Sequence, residues 1–236
     1  MRLNQSHYFL LPISMPIYIC LLLSLFMISS CNSTTSNISS SGSTSAIAPP
    51  QSTIPSPTYG LGKHTLVMFA DFQCPACIAT NKIVGPIFEE YASKWLVKLT
   101  YKQFPLTSIH KNAERDALAA LCSAEQGKYM DYKKALYNME EAKSGAKVSD
   151  EDRVNAGKDI LDTTKLTQCL KDSRYIDQVR AEMKEWNSLG VTGTPTVLLD
   201  GKKIDNSVFR DPVVLRSLLD TWLEVPKTGS GVIKWK

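Results

Sequence analysis

The sequence predicts an α/β fold in which a βαβ unit and a ββα unit flank a block of helices. Three observations carry that prediction. An apolar run over residues 64–70 reads as a buried strand and feeds directly into a helical stretch. Between 108 and 189, apolar residues recur at intervals of three and four, the spacing of helices buried on one face. From 196 onward come a short apolar strand, an Asp-Gly turn, a second strand and an amphipathic stretch.

The chain has 236 residues, six cysteines and a net charge of +4, with Lys and Arg scattered rather than clustered. No nucleic-acid footprint follows from that balance. Residues 8–28 carry no charge and only Arg2 and the amino terminus precede them, as in an export signal long enough to serve as a membrane anchor. Its end, Ile28-Ser29-Ser30-Cys31, resembles the lipobox of bacterial lipoproteins. The resemblance implies that Cys31 is lipidated and that Cys20 leaves with the leader; an uncleaved anchor with Cys31 as an incidental thiol is the alternative. Residues 1–31 tether the protein outside the cytoplasm on either reading. Residues 32–62 are rich in Ser, Thr and Pro and uncharged to residue 58, the composition of a flexible linker. Asn-x-Ser/Thr matches at Asn32 and Asn37 are expected by chance in so Ser-rich a stretch.

The first half of the domain, 63–107, holds a strand over 64–70, a helix from Pro75 to about residue 94 with a kink at Gly85-Pro86, and a strand over 95–104 ending at Pro105. Strand, helix, strand implies parallel pairing with a right-handed crossover. The insertion, 108–190, is all-helical: 108–126 stopped by Gly127, 128–142, 150–161, and a less regular stretch over 163–189 stopped by Gly190. The second half, 191–224, has strands at 196–199 and 202–204 about Asp200-Gly201, then a helix over 211–223 with Pro212 in its first turn. The tail, 225–236, shows no clear structure.

Cys74-Pro75-Ala76-Cys77 lies where the first strand gives way to the first helix. Unpaired N–H groups and the macrodipole at a helix N-terminus favour negative charge, so a thiolate at Cys74 is stabilised and its pKa falls. Pro75 suits the first turn because its missing N–H has no partner to lose. Cys77 lies one turn further in and is expected to be buried. The competing readings are a structural disulfide or half of a metal site. A zinc site needs four ligands, and His7, His64 and His110 lack ligand spacing, so no metal is expected. No cofactor is expected either: cysteine alone carries the chemistry. An even cysteine count behind an export leader points to an oxidising compartment, where Cys122 and Cys169 would form a stapling disulfide. Two buried free thiols are the alternative. His110 is expected to cap or pack near a helix start, with a contact to the rim of the cysteine site as the second reading.

Three motifs together resemble the DsbA-like extracytoplasmic thiol–disulfide oxidoreductases of the thioredoxin superfamily. They are Asp71-Phe72-Gln73-Cys74-Pro75-Ala76-Cys77, Phe104-Pro105-Leu106 followed by His110, and Val191-Thr192-Gly193-Thr194-Pro195-Thr196. The likeness spans roughly 63–224 and implies a thioredoxin fold (βαβ … ββα) with an inserted all-helical domain. It implies a redox-active Cys74–Cys77 disulfide, with Cys74 as nucleophile and Cys77 as resolving cysteine. It further implies a cis Thr194–Pro195 bond facing the pair, with Thr194, Pro75 and Ala76 forming the substrate-binding surface. A trans proline opening a strand is the plain alternative. The function implied is the introduction of disulfides into exported proteins by a monomer served by a membrane redox partner. A reductase or isomerase kept reduced by a membrane electron donor, and a non-catalytic binding or chaperone module, are the competing functions. The chain departs from its relatives in one place: Met68 stands six residues before Cys74, where they often carry a buried acid, so water takes the acid's part in moving the Cys77 proton. Asp71 is expected to point away from the pair.

Overall fold

The computed structural model describes residues 53–188 and 190–226. Five strands form one sheet: β1 (Thr58–Tyr59), β2 (His64–Ala70), β3 (Val97–Gln103), β4 (Thr196–Leu199) and β5 (Lys202–Lys203), in the order β1-β3-β2-β4-β5. β2 and β3 run parallel, from His64 beside Val97 to Ala70 beside Gln103, and the other pairings are antiparallel. A parallel pair needs a long crossover, which α1 (Pro75–Ile83) and α2 (Gly85–Ser93) supply. Both faces of β2 are covered. Leu66 and Met68 join the main core with Val197 and Leu199, while Phe69 packs with Phe104, Trp186 and Val191 on the other side. That double burial is why this strand reads as an unbroken apolar run. Asp200 and Gly201 both adopt positive φ, as a type I′ hairpin demands, and join β4 to β5.

The helical block comprises α3 (Ala113–Glu125), α4 (Tyr129–Lys143), α5 (Asp150–Ala156), α6 (Thr163–Lys171) and α7 (Ile176–Ser188). A disulfide between Cys122 on α3 and Cys169 on α6 clamps it. The chain closes with a 3-10 helix, Asn206–Arg210, and α8 (Pro212–Trp222), whose first turn is capped by Asp211.

Several boundaries differ from those expected, each for a local reason. The helix after the cysteine pair is two helices, broken at Val84 just before Gly85-Pro86. Residues 108–112 are not helical; their backbone and side chains bond to Asp71, Gln73 and the 146–148 loop instead, and Ile109, counted on a buried face, is 69% exposed. The 163–189 stretch divides at 172–175, where Ser173 takes φ 50. Trp95 takes φ 61, which no strand residue adopts, so β3 begins two residues later.

The expected linker also ends early. Within 32–62, Thr58 pairs with Thr100 at the sheet edge, Ile54 exchanges two hydrogen bonds of 2.9 Å with the Gln178 side chain, and Ser56 donates to Glu182 at 3.0 Å. Gly62 lets the chain pass the start of β3: a Cβ there would lie 2.3 Å from the Leu96 carbonyl carbon. The leader over 8–28, Cys20, Cys31, both Asn-x-Ser/Thr matches and the tail beyond Pro226 lie outside the described residues. Among the described residues, no helix is long and apolar enough to cross a membrane.

Candidate active site

The site is built at the mouth of α1. Cys74 is its N-cap in an extended conformation (φ −69, ψ 120), Pro75 opens the helix, and Cys74 O accepts the first helical bond from Ile78 N at 3.0 Å. Pro75 and Ala76 are exposed. Cys74 is 7% exposed and Cys77, one turn in, is fully buried. Across from them the Thr194–Pro195 bond is cis, and the Cys74 thiol donates to Thr194 O at 3.6 Å. Asn206 Nδ2 donates to Pro195 O at 2.9 Å and Thr196 Oγ1 to Gly193 O at 2.9 Å, which hold that loop in place. The Thr194 hydroxyl is buried beside the pair and lowers the pKa of both thiols.

The two thiols are tuned apart. The Cys74 pKa is pulled down to about 5, first by the hydrogen bond from the Cys77 thiol, then by the Thr194 hydroxyl and the N–H groups of Cys77 and Ala76, against the cost of burial. Burial pushes Cys77 well above the usual thiol range, and the neighbouring Cys74 adds to the shift. The arrangement offers one ready thiolate at the surface and one protonated thiol behind it. Both are free thiols in this structure, so the Cys74–Cys77 disulfide expected from sequence is not formed here.

Asp71 corrects the sequence reading. It does not point away: its carboxylate is buried beneath the Cys74 turn, where Oδ1 accepts from Gln73 N at 2.7 Å and Cys74 N at 3.2 Å. Oδ2 accepts from Leu106 N at 2.8 Å and from His110 Nδ1 at 2.7 Å. His110 thus meets the rim of the site through its ring while lying next to a helix start, its carbonyl accepting from Ala113 N at 3.3 Å. An acceptor side chain two and three residues before the groups it caps is a turn signature readable from sequence, and Asp71 ahead of Gln73-Cys74 carries it. Met68 is buried in β2 as an apolar core residue. Beside Pro75 lies a cavity of about 620 Å³, lined by Gln73, Ile78, Ile83, Ile109, His110 and Glu140.

The family profile described as Thioredoxin matches residues 60–220. The chain is 30% identical over 142 residues to the probable disulfide bond formation protein D of Bacillus anthracis, covering 58% of this chain and 64% of that one. It is 27% identical over 140 residues to Na(+)/H(+) antiporter NhaA 3 of Salinispora tropica, covering 59% of this chain and 20% of the antiporter. The chain thus spans a fifth to under two thirds of these relatives. Crystalline oxidised BdbD of Bacillus subtilis superposes with a TM-score of 0.62 at 20% identity, over 72% of this chain and 93% of that one. That likeness shows a shared fold. With well over half its length matched by the profile, this chain belongs to the thioredoxin family.

Proposed function

We propose that the protein is a DsbA-type thiol–disulfide oxidoreductase that works outside the cytoplasm and introduces disulfides into exported proteins. The observation that carries this reading is Cys74 at the N-cap of α1, facing the cis Thr194–Pro195 bond, with Cys77 buried one turn behind it. In the oxidised protein, a substrate thiolate attacks Cys74 Sγ, the Cys74–Cys77 bond breaks, and Cys77 leaves and takes up a proton. With Met68 in β2 rather than an acid, water supplies that proton. A second substrate thiolate then attacks the substrate sulfur of the mixed disulfide and expels Cys74. The substrate loses two electrons and the pair is left as the dithiol seen here. Expulsion is fast because a low-pKa thiolate is a good leaving group. Stabilising Cys74 as a thiolate stabilises the reduced pair, and that makes the disulfide a strong oxidant. The exposed Pro75-Ala76 surface and the Thr194 backbone receive the substrate as an extended segment.

A membrane partner accepts the two electrons and restores the disulfide, and Cys31 or the leader holds the monomer near it. The name of the Bacillus anthracis relative supports the same direction. The test is the reduction potential of the pair in the full chain, set against glutathione buffers. A value near about −120 mV is expected for an enzyme that introduces disulfides. A value near about −270 mV would make it a reductase. A pair that cannot be cycled at all would leave a binding module.

A further inference from the structure

The Cys74 turn rests on a buried carboxylate, beside a backbone bond from Cys74 N to Asp71 O at 3.3 Å. Cys74 caps α1 without a side-chain hydrogen bond of its own, and Asp71 supplies one from beneath. Asp71 has four donors around it: three are the backbone N–H groups of Gln73, Cys74 and Leu106, and the fourth is the His110 ring. The first two belong to the turn that carries the nucleophile, the last two to the segment leading into the helical block. A second tie runs in parallel, from Asn112 N to Gln73 Oε1 at 2.9 Å. Asn112 is itself anchored to Ala146 O at 2.8 Å and to Val148 N at 3.2 Å.

We infer that His110 is a positioning residue for exchange: its ring holds the Asp71 carboxylate against the Gln73–Cys74 backbone and so keeps Cys74 aimed at Thr194 and the first N–H groups of α1. A carboxylate beside a thiolate works against it unless its charge is directed elsewhere. The ring does this by drawing Oδ2 toward the 106–110 segment, while Oδ1 spends its lone pairs on the turn. Without the ring, Oδ2 keeps only Leu106 N, and a buried carboxylate short of donors turns to find others, which loosens the turn and weakens the thiolate. His110 has only 15% of its side chain exposed and lies on the wall of the cavity beside Pro75.

This inference rests on Cys74 being the attacking cysteine. The experiment is a titration of the Cys74 thiolate by its ultraviolet absorbance in the full chain, for wild type, His110→Leu, His110→Asn and His110→Gln. An Asn amide presents its donor near the position of Nδ1, whereas a Gln amide reaches that of Nε2. The midpoint is expected to rise by about one unit in the Leu and Gln variants, with about tenfold less thiolate below it, and to stay at the wild-type value in the Asn variant. Equal midpoints in all four proteins would overturn the inference, as would an Asn variant shifted as far as the Leu variant. If the Leu variant does not fold, Asn against Gln decides alone. A wild-type protein whose low-pH thiolate persists after Cys74→Ser would instead overturn the assignment of Cys74, whatever His110 does.

Discussion

The two cysteine pairs among the described residues are both buried and have opposite fates. Cys122 and Cys169 are 47 residues apart, sit among Leu118, Leu121, Leu166 and Leu170 in the helical block, and are bonded to each other. Cys74 and Cys77 are separated by two exposed residues and stand free. What separates the pairs is the company of the sulfur. Cys74 has backbone N–H groups, a thiol and a hydroxyl that favour a negative charge, while the other pair is closed on itself between α3 and α6. A cysteine becomes a reagent where its thiolate is solvated by the protein and a substrate can approach; elsewhere it becomes a staple.

The sharpest way to break this contrast is Cys74→Ser. Thiol-dependent turnover of a disulfide substrate should fall to background, while Cys122 and Cys169 stay bonded and sustain no exchange; retained turnover would show that the staple is a reagent too. Removing the staple with Cys122→Ala and Cys169→Ala should do the reverse. Closing a loop of 47 residues is worth about 4 kcal/mol in unfolded-chain entropy, so denaturant melts should show a loss of that order with exchange per folded molecule unchanged. A drop in activity at full folding would mean that the block tunes the site.

The third prediction concerns pH and is the smallest in effect. Because Cys74 sits at about 5, its alkylation rate should be nearly flat from neutral pH down to about 6. It should then fall about tenfold per unit below its midpoint, as a single titrating group does. Stability follows with the same sign. A depressed folded-state pKa adds stability to the reduced protein in full above the unfolded thiol value of about 8.5, and that gain is lost as pH falls toward about 5. The melting temperature of the reduced form should therefore exceed that of the oxidised form at neutral pH and approach it in acid. A gap that does not narrow would place the stabilisation outside the thiolate.

Much of this was legible because it is local. The run over 64–70 coincides with β2, since a strand buried on both faces advertises itself, and Asp200-Gly201 marks its hairpin by residue type. Cys74-Pro75 announces a helix start in the same way. The edge strand β1 was hidden because two residues cannot display a period, and its neighbours look like linker by composition. Strand alternation does not reach Asp71: β2 ends at Ala70, and beyond that point the chain turns and alternation no longer says where a side chain goes. The break at 172–175 is silent in the sequence because the periodicity resumes beyond it, and a single positive φ leaves no trace in a hydrophobic pattern.

The pairing of β2 with β4 has a consequence for when the chemistry begins. Phe69 lies beside Thr196, so the strand that precedes Cys74 and the strand that follows Thr194 become neighbours only after the whole helical block between them has been accommodated. Contacts this distant in sequence carry a large closure entropy and form late. Until they form, Cys74 has its helix start but not Thr194, and lacks part of what holds its thiolate. The unfinished chain therefore carries a weaker reagent, which reaches full strength only when β4 pairs with β2.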